Sequence, residues 1–331
     1  MINVILIFSI WFLIFSFTPA LAAGVGSTDD PMTVGGGARA IGLGRAFAAI
    51  ADDADAPFIN PAGIAGLKGP QAMMMYTNLL EDIYYREYCG AVPTPYGTVG
   101  IGFISTGVQF ETQLDSNTVY TDYYDTLFVL TFSTPLGRYF QYGNNLFVGG
   151  NFKLFNRGYT GGINQYASGK SADFGLKLIL SPFLSFGISV QNFLPVSLGG
   201  VIRLNSGAEE SLAGITKVGV AIKPDILNRK LLIAADVDLS SQSGRPVTSH
   251  LGVEWKTSEF LSLRAGLDQS VDSATASQTS WNPAYGISFG YGNFRVDYAY
   301  HPYYNYPGLA TTYVSFSYVG EPWFALKGRV E

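Results

Sequence analysis

The run Leu231-Leu232-Ile233-Ala234-Ala235-Asp236-Val237-Asp238-Leu239 decides the fold class. Read in steps of two, Leu231, Ile233, Ala235, Val237 and Leu239 form one set, and Leu232, Ala234, Asp236 and Asp238 the other. Successive side chains of an extended strand point to opposite faces, so one face is wholly apolar and the other carries both acids. On a helix, residues two apart point to nearly opposite sides, and the two acids would break any apolar stripe.

The same rule recurs on either side of this run. Leu184, Phe186, Ile188 and Val190 oppose Ser185, Gly187, Ser189 and Gln191. Leu251, Val253 and Trp255 oppose His250, Gly252, Glu254 and Lys256, and Leu261, Leu263, Ala265 and Leu267 oppose Ser262, Arg264, Gly266 and Asp268. Phe294, Val296, Tyr298 and Tyr300 oppose Arg295, Asp297, Ala299 and His301. A soluble sandwich would turn a Lys-, Glu- and Thr-rich face to water and would not concentrate glycine on it. Here the apolar face is expected to meet hydrocarbon. The small and charged face, with Asp236, Asp238, Glu254, Arg264, Asp268, Arg295 and Asp297, is expected to line an aqueous lumen.

Composition agrees. The 331 residues are 47% apolar and only 14% charged, against about 25% charged in ordinary soluble domains. Thirty-nine glycines, twenty-one tyrosines and twenty-three phenylalanines suit short aromatic strands joined by tight turns. A formal charge of -5 with scattered Lys and Arg offers no basic stripe for nucleic acid. Beyond position 23 no uncharged apolar stretch is long enough for a spanning helix. A closed barrel, whose strands satisfy each other's backbone groups, is the remaining way into a bilayer.

Segments of alternating pattern begin near Gln71, Asp82, Thr98, Tyr120, Leu146, Ala172, Leu184, Ile215, Leu231, Ser249, Phe260, Ala284, Asn293 and Thr311. They predict an all-β, transmembrane antiparallel β-barrel of about 14 strands. Connections at 93–97, 181–183, 257–259 and 291–292 are brief; those at 158–171, 195–213 and 269–283 are longer and polar, the asymmetry of an outer-membrane barrel. Trp255, Trp281 and Trp323 read as interfacial girdle and loop anchors.

Four regions follow. Residues 1–22, an apolar run ending in Thr18-Pro19-Ala20-Leu21-Ala22, read as a cleaved signal peptide. Met1, Ile2 and Asn3 lack the usual leading positive charge, so an uncleaved anchor stays open. Residues 23–69 do not alternate and are expected to form a hatch or plug inside the barrel, with a short helix over 46–51 and a turn at Asn60-Pro61-Ala62-Gly63. Residues 70–318 are the barrel, and 319–331 a periplasmic tail.

Two linked stretches, Gly37-Ala38-Arg39-Ala40-Ile41-Gly42-Leu43-Gly44-Arg45-Ala46-Phe47 and Ala51-Asp52-Asp53-Ala54-Asp55-Ala56-Pro57-Phe58-Ile59-Asn60-Pro61-Ala62-Gly63, resemble the N-terminal signature of the PorV/PorQ-type branch of FadL-like outer-membrane proteins. The motif covers about residues 35–67; the strand count extends the likeness over the mature chain as architecture only. The resemblance implies a fourteen-stranded barrel with an N-terminal hatch carrying an Asn-Pro-Ala element, here Asn60, Pro61 and Ala62. It also implies passage of long-chain fatty-acid-like molecules through a side opening. Arg39, Arg45, Asp52, Asp53, Asp55, Asn60, Pro61, Ala62 and Gly63 are then the candidate hatch and gating residues. The alternative is a PorV-like partner of type IX secretion, which holds exported proteins. The expected partners are outer-membrane lipid, hydrophobic small-molecule cargo and, on the alternative, secretion-machinery or exported proteins. Polar breaks in strand pairing near Gly or Pro are where a wall exit is expected, with Pro93 and Pro95 as one candidate rim or simply a turn.

Catalytic motifs do not survive inspection, and no cofactor or metal site is expected. Gly286-Ile287-Ser288-Phe289-Gly290 matches a nucleophile elbow in letters but continues a strand. Gly35, Gly37 and Ala40 fit the loose dinucleotide pattern without a preceding strand, and Gly169-Lys170-Ser171 lacks the earlier glycine of a phosphate loop. His250 and His301 are too few for a multi-histidine zinc site and read as polar lumen or rim positions; Asp52, Asp53 and Asp55 lack calcium-loop spacing. Cys89 reads as a small packing residue. The chain is expected not to be an enzyme, an outer-membrane lipase using His250 or His301 being the remote rival.

Overall fold

The computed structural model describes residues 27–28, 30–114, 117–139, 143, 145–162, 164–271, 278–303 and 308–322. The expected signal peptide and Trp323, with the rest of the tail beyond Pro322, lie outside these residues. Among the described residues no helix is long and apolar enough to cross a membrane.

Fourteen strands close on themselves. They are β1 (Gln71–Leu79), β2 (Ile83–Thr94), β3 (Gly97–Leu114), β4 (Asn117–Pro135), β5 (Leu146–Gly161), β6 (Gln165–Ser181), β7 (Leu184–Gln191), β8 (Ile215–Ile222), β9 (Leu231–Ser240), β10 (Thr248–Lys256), β11 (Leu261–Val271), β12 (Thr279–Tyr291), β13 (Phe294–Pro302) and β14 (Ala310–Val319). Each pairs antiparallel with the next, and β14 returns to β1 from Val314↔Tyr76 to Val319↔Gln71. Closure removes both sheet edges, so every wall strand has a neighbour on each side.

The side chains alternate in the predicted sense. In β9, Ile233, Val237 and Leu239 are exposed while Leu232, Ala234 and Asp236 are buried. Phe186, Leu251, Trp255, Leu263, Trp281, Val296 and Tyr298 likewise point outward, and Ser189, His250, Arg264, Asp268 and Asp297 inward. Cys89, on β2, is buried within an apolar cluster.

Several strands run further than the sequence suggested. β5 continues to Gly161 and β6 begins at Gln165, where a loop over 158–171 was expected; β11 reaches Val271 and β12 starts at Thr279, shortening the 269–283 loop. In the β5 and β6 extensions the outward positions are Thr160, Tyr166, Ser168 and Lys170, so no continuous apolar stripe marks the strands. The long 195–213 connection contains its own hairpin, Val201–Leu204 with Glu209–Leu212, which pairs back onto β6 at Ala167↔Leu204, Ser168↔Arg203 and Gly169↔Ile202.

Residues 30–67 precede β1 and pack against inward-facing residues of strands around the whole circumference, filling the bore. Apart from Asp52 and Gly66, all of them are buried or half-buried. Their elements are short: a 3-10 turn Pro31–Val34 capped by the Asp30 carboxylate (2.9 Å to Met32 N), the single helix α1 (Gly37–Gly42), and 3-10 turns Ala56–Phe58 and Pro61–Gly66. The helix expected over 46–51 is instead a turn. The backbone N–H groups of Phe47 and Ala48 donate to Asp236 of β9 at 2.8 and 2.7 Å, and Ala51 sits at φ +23°. The Asp236 carboxylate satisfies leading N–H groups that a helix over 46–51 would leave open, and Ala51, at positive φ, ends the winding after one turn.

Candidate functional site

The ion pairs between the N-terminal segment and the wall form three groups among the described residues. The largest is a closed ring of alternating charge. Arg39 of α1 meets Glu254 of β10 (2.9 Å); Glu254 meets Arg264 of β11; Arg264 meets Asp297 of β13 (3.1 Å); Asp297 meets Arg295 (2.7 Å); Arg295 meets Asp53 (3.1 Å); and Asp53 returns to Arg39 (2.9 Å). Three guanidiniums and three carboxylates balance. Asp52, more open to solvent, pairs with Arg39 from outside the ring.

An isolated charge in this interior would cost several kcal/mol, whereas here each has at least two opposite neighbours. Glu254, Arg264, Asp268, Arg295 and Asp297 face inward as the alternation required, and the segment places opposite charges against Glu254, Asp268 and Arg295. Ser288, of the Gly-x-Ser-x-Gly match, lies within β12 and donates its hydroxyl to Asp297, in no nucleophile elbow.

Asp53 and Asp55 are split by their surroundings. Burial pushes both carboxyls up, but the hydrogen bond with Asp55 and the Arg39 and Arg295 guanidiniums overcome it at Asp53, holding it well below the usual carboxylate range. At Asp55 burial acts together with the neighbouring Asp53 charge and Glu87 of β2, raising it well above that range. Two acids two residues apart are thus driven in opposite directions.

The second group centres on Asp268 of β11. Arg45 Nη2 lies 2.8 Å from it, His250 Nδ1 2.8 Å and His301 Nε2 3.0 Å. Both histidines of the chain thus converge on one carboxylate; His250 Nε2 also approaches Asp238 at 3.4 Å, and Lys217 pairs with Asp238.

The third group was not foreseen. Lys153 of β5, fully buried, bonds Asp30 (2.7 Å) and Asp173 of β6 (2.8 Å); Asn192 joins both acids, through Nδ2 to Asp30 (3.1 Å) and its backbone N–H to Asp173 (2.8 Å). Lys177 donates to the carbonyls of Ile50 and Ala51. The period-two pattern Asn151, Lys153, Phe155, Arg157 opposite Phe152, Leu154 and Asn156 was the signal that could have found Lys153.

Asn60, Pro61, Ala62 and Gly63 stand apart from the charges. Asn60 caps the Pro61–Gly66 turn, its Oδ1 accepting from Ala62 N at 3.1 Å, and its Nδ2 donates to the carbonyls of Ala48 (2.8 Å) and Leu176 of β6 (3.0 Å). One side chain therefore ties two parts of the segment to the wall. No gap separates them from it: a methyl group on Gly175 would collide with Asn60 Oδ1, and one on Gly149 with the Pro61 carbonyl.

This explains the glycine-rich inner face better than strand curvature does. Gly187 abuts Ala48, Gly252 abuts Leu43, and Gly266 abuts Gly44, backbone against backbone. Gly44 itself, at φ +60°, would place a methyl 2.7 Å from the Leu267 backbone. The inner glycines are the footprint of the segment.

The wall is interrupted once where Pro and Gly cluster. Five residues back along β6, from Phe174 to Gly169, its partner moves twelve residues on, from Val190 to Ile202, so seven residues are looped out. Phe193 N still bonds Ala172 O at 3.0 Å; residues 194–200 then bulge, closed by Gly200 N to Pro195 O at 3.1 Å, with Val196 and Leu198 exposed. Buried apolar Phe155, Ala167 and Ile202 lie nearby on the inner side. The candidate rim at Pro93 and Pro95 is instead a tight turn between β2 and β3, with Pro93↔Thr98 paired.

No protein-family model and no curated protein matches the sequence. Solved structures do match over nearly the whole chain. The Pseudomonas putida toluene transporter TodX superposes with a TM-score of 0.56 at 13% identity, covering 90% of this chain and 100% of TodX. A FadL homologue of Pseudomonas aeruginosa gives a TM-score of 0.52 at 10% identity, covering 86% and 98%.

The chain has a FadL-like barrel fold.

A TodX variant described as a monoaromatic hydrocarbon channel matches equally, with a TM-score of 0.56, 13% identity and coverage of 83% and 99%. The two TodX structures bear the names of a channel and a transporter, and the likeness, at such low identity, is one of fold; it does not reach the PorV/PorQ branch suggested by the N-terminal motif.

Proposed function

We propose that this chain is an outer-membrane barrel for gated passage of hydrophobic small molecules, with residues 30–67 as the hatch and Arg39, Arg45, Asp52, Asp53, Asp55 and Asn60–Gly63 as the contacts that hold it. The observation that carries this reading is the filled bore. A fourteen-strand wall with an apolar exterior encloses a segment of short turns, joined to it by ion pairs and hydrogen bonds at its rim rather than by continuous strand pairing. Such contacts are exchangeable for water, which suits a part that must move, and the flush fit at Asn60 describes the shut state.

Cargo leaves sideways in this reading, through the wall at the looped-out residues 194–200, where the apolar Phe155, Ala167 and Ile202 inside adjoin Val196 and Leu198 outside. That course keeps an apolar molecule away from the charged ring. The named hydrocarbon channels of like fold support the cargo class.

Tethering tests it. A methyl on Gly219 of β8 would stand 3.1 Å from Ala48 Cβ, near the Cβ separation of about 3.5–4.5 Å that a disulfide needs, and 2.2 Å from Asp236 Oδ1, so the Asp236 carboxylate must turn aside; the reduced double-cysteine protein is the control for that shift. Ala48→Cys with Gly219→Cys, in a Cys89→Ser background, is expected to abolish labelled oleate uptake when oxidised and to restore it on reduction. Undiminished uptake with the tether formed would reject a moving hatch.

A further inference from the structure

Arg45 Nη2 and His301 Nε2 meet the same oxygen of Asp268, at 2.8 and 3.0 Å, and His250 Nδ1 meets the other oxygen at 2.8 Å. His250, Asp268 and His301 belong to wall strands β10, β11 and β13, whereas Arg45 belongs to the N-terminal segment. A cavity of about 230 Å³, lined by Arg45, Lys217, Asp238 and His250 among others, opens beside this group at the end of the barrel that carries the 241–247 connection. His250, otherwise buried, thus has a route to solvent protons.

The charges around the two rings are matched. Asp268 pairs with Arg45, and Asp238 with Lys217, so with both histidines neutral these four groups sum to zero. Asp236, opposite His250 on β9, accepts from the N–H groups of Phe47 and Ala48, and Arg245 of the connection bonds Gln242. Tyr303 stands edge-on to His301 at 5.0 Å, and Tyr313 of β14 is buried nearby.

We infer that acid entering by this cavity loosens the segment: each proton taken up by His250 or His301 weakens the hold of Asp268 on Arg45. An imidazolium is a second cation drawing on one carboxylate. The sign follows from linkage. When Arg45 departs, a cation leaves the histidines while Asp268 stays on the wall, so both rings bind protons more tightly with the segment released; by reciprocity, proton binding favours release. Histidine is the side chain suited to this, its ordinary value of about 6.5 lying within the environmental pH range. Arg45 is also a strained residue, at φ +65° with its Nη1 on Thr33 O at 2.9 Å, so letting go of Asp268 frees a turn that L side chains rarely adopt.

The link is read without any movement of the segment by histidine-ring NMR of the full-length protein in detergent, where the chain's two histidines give two titrating signals. Arg45→Gln is expected to strengthen proton binding at one or both rings by about five-fold or more; unmoved midpoints would overturn the inference. The release half rests on the proposed hatch and is read as entry of a small hydrophilic dye into liposomes. Between about pH 7.5 and about pH 5.5 entry is expected to rise about three-fold or more in the unaltered protein and to stay flat in His250→Gln with His301→Gln. These variants keep Asp53, Asp55 and Asp236, so the difference between the curves belongs to the histidines. Heat-modified gel mobility reports assembly; should the double variant fail to assemble, His250→Gln alone is expected to lose part of the rise. Shifted midpoints with the same acid response in all variants would overturn the release. The tether between positions 48 and 219 separates the two readings: uptake abolished by the tether, with no histidine effect on dye entry, strikes the proton link and leaves the hatch standing.

Discussion

Arg39 and Glu254, 215 residues apart in the chain, meet as a two-pronged pair, Nε to Oε2 at 2.9 Å and Nη2 to Oε1 at 3.1 Å. The fork geometry makes this the most directional contact between segment and wall. Arg39→Gln leaves Asp53 and Glu254 each short of a guanidinium, and breaking one side of a buried pair costs about 3–5 kcal/mol. The lower end applies, since Asp52 brings solvent to the edge. Protease cleavage within residues 30–67 and entry of a small hydrophilic dye into liposomes are expected to rise. The double change Arg39→Gln with Glu254→Gln should cost less than the sum of the two single changes, with a coupling of about 0.5–3 kcal/mol. Strictly additive costs would remove the pair from the hold.

Asp53 and Asp55 give the hold a pH dependence of defined sign. Asp53, depressed, contributes stability present above the ordinary aspartate value of 3.8 and lost as pH falls below it. Asp55, raised, contributes stability present below 3.8 and lost as pH climbs through its elevated folded value. Dye entry is therefore expected to increase on alkalinisation as Asp55 is forced to ionise beside Asp53 and Glu87. Asp55→Asn, neutral at every pH, should flatten the alkaline limb; an unaltered limb would assign it to other groups.

Wall glycines under the segment should not tolerate side chains, while outward ones should. Gly266→Val drives its side chain into the Gly44 backbone and is expected to cost about 1–3 kcal/mol or displace the segment. A methyl at outward Gly90 has only Gln71 O within reach, at 3.6 Å, so Gly90→Ala should be silent. Comparing dye entry for the two variants, with barrel assembly followed by heat-modified gel mobility, decides it.

Removing residues 194–200 and joining Phe193 to Val201 puts both flanking strands in one register along β6. The wall should then be continuous and oleate uptake should fall to background with the barrel intact. Persisting uptake would move the exit elsewhere.

What the sequence disclosed follows from where a side chain meets a uniform solvent. Along Leu231–Ser240 one face meets an apolar surrounding, so its alternation is unbroken and the strand is legible. Past Asn156 or before Ala172 the outward residues turn polar, and the strands vanish from the pattern though the pairing continues. The charges Arg39, Asp53, Glu254, Arg264, Arg295 and Asp297 were visible as inward or hatch residues, but their ring was not, because its links join positions up to 242 residues apart. Lys153 and Lys177 escaped notice since a lysine on a barrel strand reads as wetted; only the segment lying over them makes them interior. Inner glycines such as Gly187 and Gly266 show in the sequence only as small residues on the polar face, because the backbone that lies opposite them is invisible in a linear pattern.

Where the segment joins β1, Gly69 lies against the carbonyls of Gly320 and Glu321, and Gly320 N bonds Pro70 O at 2.7 Å, at the seam where β14 meets β1. The stretch leading from the segment into the wall is thus packed on the same junction that closes the wall, so a substitution with a bulkier residue at Gly69 or Gly320 would strain the lead-in and the ring closure together.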